Sequence, residues 1–179
     1  PQINIKFEAG MVQPTKIPDM IDAVQFAEMY NAAAGYDFYS RKDIQMFRDG
    51  SDPDLHPNID WVKRLYKDYS FNQRVNVNIS GGGKAVRYFS AVSIYNQEGQ
   101  YDIQPGAYDW VPSSIGRFGK NVNYTRYNFR TNVDMDITKY TTVSLGLQGN
   151  VAVNTEPYKG SSDVYMWINN CAPNAFPVL

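Results

Sequence analysis

A long period-2 pattern between residues 127 and 154 limits this chain to folds built from extended β-strands. Apolar and polar side chains alternate through residues 127–138, and after a short turn at 139–141 the alternation resumes. Successive side chains of a strand point to opposite faces, so each run places its apolar residues on one side. Each run has about 12 residues, against about 5–6 in the strands of most globular proteins. The pattern therefore predicts two neighbouring antiparallel strands of unusual length.

Three further segments alternate in the same way. The predicted strands lie at about residues 2–12, 71–81, 85–97, 124–138 and 142–154. The second and third strands are separated by three consecutive glycines at 81–83, which accept the positive φ angles of a tight hairpin turn. The predicted fold class is all-β, with antiparallel strands and minor helical insertions in the loops.

The helical insertions are predicted from apolar residues at helical spacing and from capping residues. One helix is predicted over residues 19–34 with Asp19 as its N-cap, and shorter ones at about 60–67 and 163–169. Residues 41–60 are polar and contain two prolines and a glycine. That segment is therefore interpreted as an irregular loop.

The connections between the strands alternate in length, which favours a membrane β-barrel. The long connections are residues 13–70, 98–123 and 155–179, whereas the short ones are 81–84 and 139–141. Outer-membrane barrels have short periplasmic turns and longer extracellular loops, so the long connections are predicted to be extracellular. A half-buried sheet in a soluble protein alternates in the same way. A soluble carbohydrate- or peptide-binding β-sheet module is therefore the alternative.

Composition is compatible with membrane-spanning strands but not with a membrane-spanning helix. The mean hydropathy is −0.47, and the sequence has no apolar run of the ~18 residues that a membrane helix needs. A strand of about 12 residues is roughly 40 Å long and, tilted by ~45°, crosses the ~25 Å apolar band of an outer membrane. The formal net charge of −1 gives no basic excess, so no nucleic-acid partner is predicted.

The five predicted strands are too few to close a membrane barrel, since the smallest ones have about eight. An open set leaves two unpaired edges, which hydrocarbon does not tolerate. The chain also begins at Pro1, without an initiator Met or a signal peptide. We therefore expect these residues to be a segment of a longer barrel protein.

Charged and aromatic residues of the strands can be assigned to the surfaces of such a barrel. The candidate lumen-facing residues share the polar face of the fourth strand: Arg130, Asp134 and Asp136. Aromatic residues near strand ends are typical of the girdles at the two membrane surfaces. The residues predicted for the outer girdle are Phe71, Tyr95, Tyr124 and Tyr127.

The sequence contains no catalytic constellation, so the chain is predicted not to be an enzyme and to need no cofactor. An enzyme on a β-scaffold would need paired carboxylates on facing strands, and Asp134 and Asp136 instead share one face of one strand. His56, the only histidine, is interpreted as a solvated loop residue, and Cys171 is the only cysteine.

One polar loop carries the oxygen ligands that a calcium site needs. Its oxygen-bearing side chains are Asp49, Ser51, Asp52 and Asp54. The glycine and the terminal glutamate of an EF-hand are missing from their places. A plain polar loop is therefore preferred, and no metal site is predicted.

Several motifs resemble those of the SusC/RagA family of TonB-dependent outer-membrane transporters. Residues 57–66, PNIDWVKRLY, resemble the family's NPxxDW element, although the family often has another residue between Asn and Asp. Further resemblances follow in the family's order: NVNISGG at 76–82, RYF at 87–89, YNQEG at 95–99 and YTRYNFRTNVD at 124–134. Upstream, DAVQFA at 22–27 and NAA at 31–33 resemble the helix that follows the family's first barrel strand.

This resemblance implies a barrel of about 22 strands around a plugged lumen, in the outer membrane of a Gram-negative bacterium. The plug domain and the TonB-contacting segment would precede Pro1 and are absent from this chain. The implied partners are a SusD-like lipoprotein lid, TonB, outer-membrane lipid and an oligosaccharide or peptide substrate. TonB would supply the energy for import, so no nucleotide site is expected.

Aromatic residues of the long loops are the candidates for contact with the substrate or the lid: Tyr101, Tyr108, Trp110, Tyr165 and Trp167. Aromatic rings stack on sugar faces or hold peptide side chains, and loops on a rigid scaffold often carry function. The alternative is that these rings pack the loops against one another.

Overall fold

The computed structural model describes residues 1–102, 122–157 and 160–176. The chain forms two compact units, which are a sheet unit of residues 1–13, 69–100 and 122–155 and a helical unit of the remaining described residues. The strands of the sheet unit are β1 Gln2–Val12, β2 Ser70–Gly82, β3 Val86–Glu98, β4 Asn123–Thr138 and β5 Thr141–Thr155.

The strands form one antiparallel sheet in the order β1-β2-β3-β4-β5, so every strand pairs with its neighbours in sequence. Their lengths run from 11 residues in β1 to 16 in β4. Residues 139–140 join β4 to β5, with a register shift between Asp136 and Thr138. The predicted all-β class with short helical insertions is confirmed.

The glycines of the β2–β3 hairpin serve a different purpose from the predicted one. None of residues 81–83 has a positive φ angle, and Gly81 and Gly82 lie within β2 itself. A Cβ atom at Gly81 would lie 2.6 Å from the hydroxyl oxygen of Tyr88, directly across the hairpin. The chain needs glycine there because the Tyr88 side chain lies against the backbone.

The helices are α1 Ala23–Ala34, α2 Arg41–Asp49, α3 Trp61–Leu65 and α4 Gly160–Asn170. Within the described residues, no helix has both the length and the apolar character needed to cross a membrane. The start predicted for α1 was wrong, because its N-cap is Asp22 and not Asp19. The Asp22 carboxylate accepts a hydrogen bond from the Gln25 N–H at 2.7 Å, and the Gln25 side chain accepts one from the Asp22 N–H at 3.3 Å. This capping box stabilises a helix that begins at Ala23.

Helix α2 lies in the segment that was predicted to be an irregular loop, and that prediction was wrong. The Asp43 N–H donates to the Ser40 hydroxyl at 3.2 Å, and the Ser40 N–H donates to the Asp43 carboxylate at 2.9 Å. Gly50 ends the helix with φ at 64°, a conformation that side chains with a Cβ adopt at a cost. Local capping therefore defines both ends of α2.

Acidification is expected to destabilise α2 through Asp43. Hydrogen bonds from the side chain and backbone of Ser40, and then from His56, hold the pKa of this carboxyl below its usual range. A pKa that is lower in the folded state stabilises the fold above the unfolded-state value of about 3.9, and this contribution is lost as pH falls through the folded-state pKa. Protection factors from amide exchange in α2 should fall over that range in the wild type. In Asp43→Asn they should start lower and change less, and an equal change in both proteins would contradict the assignment.

The helices α1 and α2 enclose a small core of Ala23, Ala27 and Phe47. Asn58 connects this core to the segment before α3. Its side-chain oxygen accepts a hydrogen bond from the Ala23 N–H at 2.9 Å, and its amide donates to the Phe47 carbonyl at 3.4 Å. Asn58 belongs to the PNIDW motif, so this part of the motif has a structural role.

The same motif joins α3 to the chain that follows α4. The Trp61 Nε1–H donates to the Ala172 carbonyl at 3.1 Å, and the Ile59 N–H donates to the Pro173 carbonyl at 2.9 Å. The Asp60 side chain caps α3 by accepting the Lys63 N–H at 3.0 Å. Residues 58–61 therefore hold the parts of the helical unit together.

Candidate functional site

One face of the sheet is apolar across all five strands. The register sets apolar side chains opposite one another in rows, and two such rows are Ile5–Val77–Val92–Phe129–Gly149 and Phe7–Val75–Ile94–Tyr127–Val151. Ile5 is 71% exposed, and Val92, at the middle of the central strand, is 53% exposed. The alternation of each strand is thus combined into one continuous apolar surface.

This apolar surface does not contribute to a buried core. Among the described residues, the buried apolar side chains all belong to the helical unit: Ala23, Ala27, Phe47, Val62 and Ile168. An antiparallel sheet in a soluble protein packs one face on a core. A large exposed apolar patch instead marks contact with a membrane or another protein.

Phe129 lies flat on the apolar surface because its cross-strand partner is Gly149. A Cβ atom at Gly149 would lie 2.5 Å from the Phe129 ring, which is closer than carbon atoms can approach. Glycine beneath an aromatic ring is a recurring device of β-sheets, since the ring covers the backbone that glycine exposes.

Gly149→Ala is expected to displace the Phe129 ring and to lower the free energy of unfolding by about 1–3 kcal/mol. Gly146→Ala in the same strand is the matched control, because its Cβ atom would meet only the Asn132 side chain at an ordinary 3.5 Å. Urea unfolding of both variants measures the difference in their free energies of unfolding. Equal destabilisation by the two substitutions would contradict the role assigned to the glycine–phenylalanine pair.

The opposite face of the sheet is polar. Two of its central rows are Asn4–Asn78–Ala91–Arg130–Gln148 and Lys6–Asn76–Ser93–Asn128–Asn150. Ion pairs lie on this face too, and one of them includes Lys6. Glu8 accepts from Lys6 at 2.7 Å and lies 3.9 Å from Arg74, and Arg87 binds Asp136 through two contacts of 3.0 and 3.3 Å.

The three predicted lumen-facing residues all lie on this polar face, at different positions along β4. Arg130 lies in a central row, opposite Ala91 and Gln148. Asp134 lies opposite Arg87, and Asp136 near the β4–β5 hairpin binds Arg87 and the Thr142 hydroxyl. The structure therefore brings the two aspartates towards one arginine and leaves Arg130 apart from them.

The predicted outer girdle was wrong for two of its four members. Tyr95 lies in a row with Arg74 and Arg126 on the polar face, and the Arg74 guanidinium lies over its ring at 5.1 Å. Tyr124 lies on the same face, with its ring centroid 6.4 Å from that of Tyr95. Both tyrosines lie near strand ends, but the parity of their positions places them on the polar face. Tyr127 lies on the apolar face.

A cavity of about 710 Å³ lies over the polar face, so this side of the sheet is concave. The polar-face residues of its lining are Asn4, Lys6, Asn76, Asn78, Ala91, Ser93, Arg126, Asn128, Arg130, Gln148 and Asn150. The lining contains three cationic side chains and, within the described residues, no carboxylate. Arg130 was predicted from the sequence and Arg126 was not, although Arg126 has the same parity within the predicted strand 124–138.

The structure describes three of the five candidate loop aromatics. Tyr101 packs its ring 5.4 Å from that of Tyr66 and donates its hydroxyl to the Ser161 carbonyl at 3.0 Å. Burial, together with Tyr66 and the nearby Tyr165, raises the pKa of Tyr101. Tyr101 therefore packs the helical unit, whereas Tyr165 and Trp167 are exposed on α4. Tyr108 and Trp110 lie outside the described residues.

His56 was predicted to be a solvated loop residue, and that was wrong. Its Nε2 lies 3.1 Å from the Asp43 carboxylate and its Nδ1 lies 3.6 Å from that of Asp52. Its ring packs 5.3 Å from that of Phe47, and only 17% of its side chain is exposed. The imidazole thus joins α2 to the loop that follows it.

The polar loop of Asp49, Ser51, Asp52 and Asp54 makes local hydrogen bonds. The Asp49 side chain accepts the Ser51 N–H at 3.0 Å, and the Asp52 side chain accepts the Leu55 N–H at 3.3 Å. Across the part of the chain that the structure describes, no three His, Cys, Asp or Glu side chains are grouped to hold a metal ion.

Burial raises the pKa of the Cys171 thiol, which is unpaired.

No protein-family model and no curated protein matches this sequence. The fold, a two-faced antiparallel meander with helical insertions, is similar to that of solved peptide-transporter chains. A chain of the RagAB peptide transporter matches with a TM-score of 0.56 and 18% identity, over 84% of this chain and 17% of that one. A chain of the RagAB peptide importer in its "closed-closed" state matches with a TM-score of 0.52 and 18% identity, over 86% and 18%.

At 18% identity, this similarity concerns the fold alone. The chain spans less than a fifth of the length of the transporter chains that it matches.

Proposed function

We propose that this chain is part of the wall of an outer-membrane β-barrel transporter of the SusC/RagA type. The observation that carries the proposal is the two-faced sheet, which is apolar and exposed on one side and polar and concave on the other. In such barrels, lipid surrounds an apolar outer face and the interior is polar. The similarity in fold to chains of the RagAB peptide transporter supports the proposal.

The dimensions of the strands agree with a membrane wall. The 16 residues of β4 extend over roughly 53 Å and, at a tilt of ~45°, rise by ~37 Å. This exceeds the ~25 Å apolar band and leaves both strand ends in the interfacial regions.

The proposal includes further strands outside these residues. Within the described sheet, β1 and β5 each pair on one side only, and lipid does not tolerate unpaired strand edges. A longer barrel of about 22 strands would pair both edges. The share of the matched transporter chains that this chain spans is consistent with that arrangement.

In the proposed function, the protein lies in the outer membrane of a Gram-negative bacterium and imports peptides or oligosaccharides. A SusD-like lipoprotein would close the extracellular side, and TonB would engage a segment outside this chain. The long connections would then be extracellular. The chain would not act as an enzyme and would need no cofactor, because its role is to line a passage.

Fractionation of the full-length protein that contains these residues tests the proposal. The protein is expected in the outer-membrane fraction, to be extracted only by detergent, and to give a strand-rich circular dichroism spectrum. Residues 1–179 expressed alone are expected to aggregate, because their apolar face lacks lipid and their strand edges lack partners. A cooperative, detergent-independent monomer of these residues would instead favour the soluble binding module.

A further inference from the structure

We propose that the concave polar face binds the carboxylates of an acidic peptide through Arg126 and Arg130. This inference rests on the proposed transport function and narrows its substrate class to peptides that carry acidic side chains. It follows from the charge, the geometry and the hydrogen-bonding capacity of the polar face.

Arg126 and Arg130 differ from the other strand arginines in having no carboxylate partner among the described residues. Arg74 lies near Glu8, and Arg87 binds Asp136. Both Arg126 and Arg130 are exposed, and both line the cavity. A guanidinium group matches a carboxylate with two parallel hydrogen bonds, so a carboxylate supplied by a ligand is the natural complement of each.

The spacing of the two arginines suits an extended ligand. They lie four residues apart on one face of β4, so their Cα atoms are roughly 13 Å apart. Side chains four residues apart in an extended peptide have the same separation and point the same way. Each arginine has one small cross-strand neighbour, Ala91 beside Arg130 and Ala152 beside Arg126, which leaves room above the sheet on that side. The other neighbours are Gln148 of Arg130 and Tyr95 of Arg126.

The surrounding amides suit a peptide backbone. Asn128, between the two arginines, donates to the Ser93 hydroxyl at 3.1 Å and is held in place. Five other lining amides make no side-chain hydrogen bond within the described residues: Asn4, Asn76, Asn78, Gln148 and Asn150. Each amide offers both a donor and an acceptor, as a peptide group does. The described lining has no tyrosine or tryptophan on which a sugar ring would stack, and the ring of Tyr95, beside Arg126, is already covered by the Arg74 guanidinium at 5.1 Å.

Binding of two matched peptides to the full-length protein in detergent tests the inference. The first is a fluorescent seven-residue peptide with Glu at its second and sixth positions, and the second has Gln at both. The wild type is expected to bind the Glu peptide more tightly. The double variant Arg126→Gln with Arg130→Gln should weaken that binding about tenfold or more, with little change for the Gln peptide. Arg74→Gln, a variant of an arginine with its own carboxylate neighbour, should change neither affinity by more than about twofold.

Three results would overturn the inference. The first is that the wild type binds both peptides equally or binds neither. The second is that the double variant loses affinity for both peptides to the same extent. A lower thermal stability of the double variant with unchanged selectivity would show that the arginines pair with carboxylates of the protein itself. The membrane fractionation is independent of these results, so a protein found in the outer membrane that shows no preference for the Glu peptide would refute the inference alone.

Discussion

A nitroxide label at position 77 is expected to collide with dissolved oxygen several-fold more often than with a water-soluble nickel chelate. A label at position 76 is expected to lack this preference. The labels are attached to Val77→Cys and Asn76→Cys in full-length protein that also carries Cys171→Ser, reconstituted in lipid. Adjacent residues of a strand face opposite sides of the sheet, and oxygen concentrates in hydrocarbon whereas the chelate stays in water. Power-saturation electron paramagnetic resonance measures both collision rates.

A second pair of positions makes this result specific to the face of the sheet. Leu147, which is 60% exposed, and its neighbour Gln148 lie on the apolar and polar faces of β5. Labels there should repeat the contrast seen at positions 77 and 76. In a soluble binding module, protein would cover the apolar face, and a label at 77 or 147 would meet neither reagent. Low collision rates with both reagents at these two positions would therefore contradict the barrel wall.

The strands could be predicted from the sequence because each of them separates its residues into two chemically different faces. In β5, Val143, Leu145 and Leu147 occupy every second position and polar or small residues occupy the others. Such a pattern places every apolar residue on one side only if the segment is extended. The faces of the sheet follow from this parity, and ignoring the parity of Tyr95 and Tyr124 produced the wrong girdle assignment.

The helical unit was harder to predict because its stability comes from caps and distant contacts. The signals of helix α2 were readable in the sequence: Ile44 and Phe47 at helical spacing, the Ser40–Asp43 capping box and Gly50. The polar composition of residues 41–60 and the prolines at 53 and 57 outweighed them in the prediction. The Asn58 side chain binds the backbone of Ala23, 35 residues away. Local pattern gives no information about which segments meet at such a distance.

The candidate site was predictable from the sequence only in part. The polar face of β4, with Arg130, was predictable from alternation alone. The absence of carboxylates beside Arg126 and Arg130 was not predictable from one strand, because it depends on which residues of β3 and β5 lie opposite them. That register places only uncharged residues beside the two arginines, whereas Arg87 meets Asp136 near the hairpin. The neighbours of the arginines are Tyr95, Ala152, Ala91 and Gln148. The residues available to a ligand are therefore a property of the assembled sheet.

Val92→Arg is expected to reduce the free energy of folding into lipid by about 2–4 kcal/mol, the usual cost of arginine on the lipid face at the bilayer midplane. This corresponds to roughly a 30- to 700-fold change in the folding equilibrium. Val92 lies at the middle of β3, between Val77 and Phe129 on the apolar face. Urea titration of the full-length protein folded into lipid vesicles measures the change. Ser93→Arg is the matched control on the polar face, and we expect it to cost less than about 1 kcal/mol because its neighbours are Asn76 and Asn128.

The dependence of this cost on position along the strand distinguishes a membrane from a protein core as its cause. Val86, at the first position of β3, shares the face of Val92 but lies near the β2–β3 hairpin. Arginine close to the membrane interface costs only about 0–1 kcal/mol, so Val86→Arg should have a small effect. A thinner bilayer should also lower the cost at Val92, because the arginine side chain then reaches water more easily. A cost at Val92 that does not respond to bilayer thickness, or that Ser93→Arg equals, would contradict a lipid-facing sheet.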